Sequence, residues 1–436
     1  MDYRAAVAYL TERERFGIKL GLENIARLVE ALGHPERSYR SFLVAGTNGK
    51  GSTAALCESI LRTAGYATGL YTSPHLVQLE ERMSARGRLI GEEELTELVA
   101  ELSDLVARLR REGLLLTEPT FFEVTTACCL EFFRRARVEV AVLEVGMGGR
   151  WDATNVAPAE LTLITNIGFD HERFLGSTLA AIAAEKAATI KPGRPVVSGV
   201  RPGEALEVIR AEAERQNAPL HLAWEEVRVE AREGPEVEDG QLVDLVTPAG
   251  RYRDVFLPLV GEHQLENLAV AVRAVEVARG PGFPLPPEAI AAGVARTRWP
   301  ARLERVPGNP SLLIDAAHNP QGVEALARYL ETHSHPGRVL LFAVMKDKKM
   351  EAMAQRLFPC FKRVLVSRPE NTRARDPESL LAWAREHGFQ AEAVAPVAEA
   401  LERARELAGP SGQVVVAGSI FLAGEVKRIL QESGQT

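Results

Sequence analysis

Cysteine is scarce in this chain. Cys57, Cys128, Cys129 and Cys360 are the full set, with no CxxC pair and no Cys/His spacing of a metal site. Buried free thiols in a reducing compartment are the expectation. No run of about 18 apolar residues occurs, so no membrane span is expected. The first residues mix both charge signs and lack an apolar core, so no signal peptide is read and the cytoplasm is the expected location. Lysine is sparse as well, with nine in the chain. The balance of 52 basic against 59 acidic residues leaves a net charge of −7, which argues against a general nucleic-acid binder. No internal repeat or low-complexity segment is found. What is present, 46% apolar and 25% charged residues, rules out a disordered or collagen-like chain. At 436 residues there is room for two or three domains.

The first 300 residues or so alternate short apolar runs with helical patterns. Strands are expected at 41–45, 138–145, 161–166 and 195–200, and helices at 52–64 and 178–190. Such alternation implies a mostly parallel sheet covered on both faces, with ligands at the carboxyl ends of its strands. Residues 226–257 break the pattern. Alternation around Asp239-Gly240 and Pro248-Ala249-Gly250 reads as antiparallel hairpins. Helices follow at 261–279 and 287–296. The period changes at Arg298-Trp299-Pro300, which predicts a boundary between domains 1–297 and 298–436. A second strand–helix series has strands at 311–315, 339–345, 363–367 and 413–417. Two such lobes usually hold ligand in the cleft between them.

The strongest chemical signal is Gly46-Thr47-Asn48-Gly49-Lys50-Gly51-Ser52-Thr53, which follows a strand and opens a helix. Glycines let successive amides turn onto an anion, the helix N-terminus adds positive potential, and Lys50 can reach the outer phosphates. The pattern departs from a strict Walker A loop twice. Val44 replaces its first glycine, and Gly51 stands where Ser or Thr is expected. The missing hydroxyl raises the question of what else holds a magnesium ion. Ser73, Glu144 and His171 lie at the ends of neighbouring strands. Ser73 alone reads as a turn residue and His171 as a hydrogen-bonded one. Imidazole is an atypical magnesium ligand. Glu144 ends an apolar strand, where a carboxylate is costly unless it meets a cation.

The ordered set GTNGKGS, TSPHL, FFE, EVGMGGRWDATN, NIGFDH, EKAATIKP, HQLENLAVA, WPARLE, DAAHNPQG and VVVAGSIFLAGE closely resembles the folylpolyglutamate synthase/dihydrofolate synthase family of the Mur ligase superfamily. It runs through nearly the whole chain. The resemblance implies an ATP-dependent amide ligase that adds L-glutamate to reduced folates, and also to dihydropteroate, through an acyl phosphate. It implies a large P-loop-type α/β domain with a mostly parallel sheet and helices on both faces, and a smaller Rossmann-like α/β domain at the C-terminus. Gly49, Lys50, Gly51 and Ser52 would cradle the phosphates. Asn267, Arg302 and Asp315 would contact ATP, and His318 and Asn319 would act near the glutamate. Ser73, Glu144 and His171 would hold Mg2+, and Lys186, as a carbamate, a second Mg2+. Lys186 and Arg302 read by themselves would be solvated charges, and Asn267 a helix-surface amide. Thr120, Phe121, Phe122 and Glu123 match one pterin-contact segment, and Trp151, Asp152 and Ala153 another. Gly21-Leu22-Glu23 is a further candidate contact. Trp151 departs from the smaller aliphatic residue common there.

The partners implied are small molecules alone, for a monomer that engages neither nucleic acid nor membrane. Three rivals stand beside this reading. One is a folylpolyglutamate synthase without the dihydropteroate reaction. Another, ranked lower because the P-loop begins at Gly46, is a cell-wall Mur ligase, which normally carries a further N-terminal UDP-binding domain. The third is a nucleotide-gated regulatory protein with a degenerate P-loop, against which Glu144, His171 and Asp315 argue.

Overall fold

The computed structural model describes residues 1–17, 19–232, 240–280 and 283–435. Its larger sheet has eight strands: β1 (Arg40–Ala45), β2 (Thr68–Tyr71), β3 (Met83–Ala85), β4 (Arg88–Leu89), β5 (Val140–Glu144), β6 (Leu161–Ile164), β7 (Val196–Ser198) and β8 (Leu220–Leu222). Their order is β4-β3-β2-β5-β1-β6-β7-β8. Pairing is parallel from β2 across to β8, and antiparallel only where β3 meets β2 and β4 at one edge. β1 and β5 are covered on both faces, so their sequences are near-continuous apolar runs. The strand period still sorts the side chains. Leu43 and Ala45 enter one core, and Phe42 and Val44 enter the other.

The core on the Leu43 face is built with helices Tyr3–Glu12, Glu23–Ala31, Glu92–Arg111 and Phe121–Arg135. The sequence reading had no helix in any of these four places. The Phe42 core holds the helix Lys50–Thr63, which starts at the glycine-rich loop, and the helices Glu262–Ala278 and Pro287–Arg296. Against it lies an antiparallel sheet of β9 (Arg228–Ala231), β10 (Gln241–Thr247) and β11 (Gly250–Leu257). The expected turn at Pro248-Ala249-Gly250 forms there, with Thr247 Oγ1 accepting from the Ala249 and Gly250 N–H groups. Asp239 of the other expected turn lies outside the described residues.

The second sheet has six strands: β12 (Glu304–Val306), β13 (Ser311–Ile314), β14 (Arg338–Phe342), β15 (Arg363–Val366), β16 (Ala391–Ala393) and β17 (Gln413–Ala417). Its order is β12-β13-β17-β14-β15-β16, parallel apart from the β12–β13 pair. Helices again cover both faces. The turns after β1, β5, β6 and β13 converge on one cleft, where strand topology places ligands. Among the described residues no helix is long and apolar enough to cross a membrane.

The glycine-rich loop is held from behind by its helix. Gly293 of Pro287–Arg296 rests directly on the backbone of Ile60, and its carbonyl accepts from Ser59 Oγ at 2.6 Å. In an open helix Gly→Ala stabilises by up to about 1 kcal/mol. Here the added methyl meets backbone, which cannot swing aside. Gly293→Ala is therefore expected to destabilise by about 1–3 kcal/mol. Urea unfolding should show a lower midpoint with an unchanged slope.

Candidate active site

The glycine-rich turn is shaped by its neighbours. Gly46 (φ +145°) lies against Thr165, and Gly49 (φ +80°) lies against the amide oxygen of Asn267. Both backbone angles are ones that L side chains rarely adopt. Thr165 Oγ1 donates to the Asn48 carbonyl at 2.6 Å, fixing the turn on the end of β6. At Gly51 a Cβ would stand 2.6 Å from the Trp299 ring. The indole fills the space that a Walker serine would need, and the glycine leaves room for it. Ser52, 1% exposed, borders the cleft, and its Oγ has no hydrogen-bond partner among the described residues. Lys50 Nζ rests on the Thr47 carbonyl at 3.1 Å.

Glu144 ends β5 in the same cleft, 5% exposed. One oxygen accepts from the Ser73 N–H at 3.1 Å. Burial raises its proton affinity, and Lys50 foremost, then the Ser73 N–H, Arg302 and Arg82, oppose that rise. Ser73 and His171 line the cleft beside it. Burial above all brings the His171 pKa down to about 4, so its imidazole is neutral and able to ligate. Among the described residues no three His, Cys, Asp or Glu side chains form a metal cage. A hydroxyl, a buried carboxylate and the orphaned Ser52 hydroxyl make a partial shell of hard donors, which suits Mg2+ completed by phosphate oxygens and water. The donor set fits that ion.

Lys186 is 4% exposed, and its Nζ donates to the Gly46 carbonyl at 2.7 Å. Burial first, then Lys50, lowers its pKa to about 7. It is not the solvated helix charge that its position in the sequence alone would give. Arg302 and Asp315 enter the cleft from the second lobe. Asp315 accepts from the N–H groups of Leu303 and Ala317, both at 2.9 Å, which ties the Arg302 segment to the end of β13. Asn267 is buried behind the turn, bonded to Gln264, and reaches Gly49.

Asp170 was passed over as a site residue, yet it joins the lobes. Its carboxylate takes Lys348 Nζ at 2.6 Å and Asn319 Nδ2 at 3.1 Å, with His318 Nε2 at 3.7 Å. Burial pushes its pKa up, but His171, Lys348 and His318 overcome that and hold it below the usual carboxylate range. Asn48 and Asn319 exchange side-chain hydrogen bonds across the same cleft. Lys348 was hidden in the run Lys346-Asp347-Lys348-Lys349, which reads as solvated surface. Its clue was density, since three of the nine lysines fall in four residues.

The expected folate segments lie beside the cleft rather than along it. Thr120 and Glu123 form a reciprocal cap on helix Phe121–Arg135. Phe122 packs on Gly146 and lies 5.9 Å from the Tyr71 ring, while Phe121 lies under the Arg82 guanidinium at 4.9 Å. Asp152 accepts from the N–H groups of Met147 and Thr154 and so shapes the turn after β5. Ala153 is buried beside it, and Trp151 is 44% exposed. Glu23 folds back over Gly21, which has φ +143°.

The model of the Mur ligase middle domain matches residues 44–275, and that of the Mur ligase glutamate ligase domain matches residues 301–420. The dihydrofolate synthase/folylpolyglutamate synthase of Bacillus subtilis is 39% identical over 81% of this chain and 82% of its own length. The folylpolyglutamate synthase of Lacticaseibacillus casei is 33% identical over 99% of each. A crystal structure of Mycobacterium tuberculosis folylpolyglutamate synthase complexed with ADP and AMPPCP aligns with a TM-score of 0.90 at 35% identity, covering 98% of this chain and 99% of that one. The same two-lobed frame, related in sequence through both lobes, is thus shared with enzymes that hold nucleotide. This chain belongs to the folylpolyglutamate synthase/dihydrofolate synthase family of the Mur ligases and is an ATP-dependent amide ligase.

Proposed function

We propose that the chain adds L-glutamate to reduced folates, with dihydropteroate as a second acceptor, acting as a cytoplasmic monomer. The observation that carries this reading is the single cleft where Lys50, Glu144, His171 and Lys186 of one lobe meet Arg302, Asp315 and His318 of the other. The division between the lobes is placed at 297/298. Helix Pro287–Arg296 ends there, and β12 starts at Glu304 after a strap that carries Trp299 and Arg302.

ATP would lie with its phosphates on the amides of Gly49, Lys50, Gly51 and Ser52, and Asn267, Arg302 and Asp315 would contact the nucleotide. Ser73, Glu144 and His171 would hold Mg2+, and carbamylated Lys186 a second ion; bound there, they neutralise phosphate charge. The acceptor carboxylate attacks the γ-phosphorus and ADP leaves, giving an acyl phosphate. Lys50 balances charge during that transfer, a step that needs positioning more than covalent help. The glutamate amine then attacks the acyl carbon and phosphate departs. His318, neutral because burial lowers its pKa to about 4, stands with Lys348 where the amino acid would enter. The interlobe contacts of Asp170 and Asn48 keep water from the acyl phosphate. Thr120–Glu123 and Trp151–Ala153 would border the pterin.

ADP release should require both glutamate and tetrahydrofolate or dihydropteroate, and Lys50→Ala should abolish it. Activity with tetrahydrofolate alone would mark a folylpolyglutamate synthase without the second reaction. ATP turnover indifferent to both substrates would favour the regulatory protein. Lys186 supplies a second test. Its neutral amine forms the carbamate by attacking CO2 with loss of a proton. Lowering pH below about 7 protonates that amine, so activity should fall on the acid side and be partly restored by bicarbonate. Lys186→Ala should be inactive and partly rescued by short carboxylates. An unmodified Lys186 in active, freshly isolated enzyme, read by intact mass, would count against the carbamate.

A further inference from the structure

Arg82 is a buried cation that the proposed mechanism leaves unused. It ends the turn Leu79–Arg82, just before the antiparallel strand β3, and is 7% exposed. Its Nε donates to His75 Nδ1 at 2.9 Å, and its guanidinium lies over the Phe121 ring. These contacts fix the plane of the group, and its two terminal nitrogens have no hydrogen bond among the described residues. Its acidic neighbours are Glu14, Glu144 and Glu81, and among the described residues no carboxylate oxygen comes within 4 Å of it. Glu81 is taken up by the N–H groups of Leu76, Val77 and Gln78, and Glu144 by that of Ser73.

A buried charge without a partner is strongly unfavourable, and an arginine fork suits a carboxylate or a phosphate. The position narrows the choice. Arg82 stands between Phe121, on the side read as the pterin pocket, and Glu144, on the phosphate side. We propose that Arg82 receives the acceptor's reacting carboxylate and points one of its oxygens at the γ-phosphate. This deepens the proposed function and rests on it. Arg82 makes and breaks no covalent bond. The free carboxylate oxygen forms the new bond to phosphorus while the bond from phosphorus to the ADP oxygen breaks, ADP leaving with the electron pair.

The experiment compares the wild type with Arg82→Gln and Arg82→Lys. Binding of tetrahydrofolate and of its γ-carboxamide is measured by calorimetry with ADP present, beside KM for tetrahydrofolate and the affinity for AMPPCP. The wild type should prefer the acid to the amide by roughly tenfold or more, the usual scale of a charge-assisted hydrogen-bond pair. Arg82→Gln should lose that preference and raise KM by a similar factor, with AMPPCP affinity unchanged as proof of an intact fold. Arg82→Lys should recover part of it, since a lysine keeps the charge without the fork. Retained acid preference in Arg82→Gln, beside a wild type that ligates glutamate, overturns the role of Arg82 alone. A wild type with no glutamate-dependent ADP release removes the ligase reading and this inference with it. Weakened AMPPCP binding in both variants would make Arg82 a support of the fold and overturn the proposal as well.

Discussion

The two lobes meet around one buried carboxylate, and the site depends on that meeting. Asp170 leaves the end of β6 in the first lobe and finds its cation, Lys348, in the second. Both side chains are nearly out of solvent, where removing one partner of such a pair typically costs about 3–5 kcal/mol. The pair fixes more than itself. Asn319 bonds Asp170 and Asn48 together, so the glycine-rich turn is registered against the loop after β13. His318 and Asp315 sit on that loop, and Asp315 in turn holds the segment of Arg302. A displacement at Asp170 would be passed along these bonds to the second-lobe groups proposed to meet the nucleotide. Positional tolerance in phosphoryl transfer is small, which is why a contact with no covalent role can govern the rate.

Much of this could be read from the sequence, because strands covered on both faces leave long apolar runs and catalytic turns leave glycines. The strands 41–45 and 413–417, and the helix 287–296, were legible within a residue or two. The four helices of the Leu43 core were not. Their apolar stripes are interleaved with charges such as Glu92-Glu93-Glu94 and Arg134-Arg135, and amphipathic period alone did not separate them from connecting chain. The site divides in the same way. Lys50, Glu144 and Asp315 are singular, each at the end of an apolar strand or inside a glycine-rich turn. Asp170, Lys348 and Arg82 sit in polar runs that look solvated, and only tertiary burial distinguishes them. Thr120, Glu123 and Asp152 show the reverse hazard, since their visible work is capping a helix and shaping a turn.

The charges of the cleft bear on the proposal that a triphosphate binds there. Lys50 and Lys186 face each other closely enough that the first lowers the proton affinity of the second. Arg302 lines the same cleft, with Asp315 and Glu144 as its acidic neighbours. Those carboxylates are partly occupied by backbone N–H groups, and Asp170 is spent on Lys348. Lys50 and Arg302 line the cleft as cations, and Lys186 joins them only while its amine carries a proton. In a low-dielectric cleft these like charges repel one another more strongly as water leaves. An anion of several charges reverses the sign of the same interaction. Phosphates in place would therefore add to the contacts that already join the lobes, in the state in which an acyl phosphate needs protection from water. The arrangement couples shelter to occupancy through Coulomb forces between fixed groups, and it needs no separate sensor.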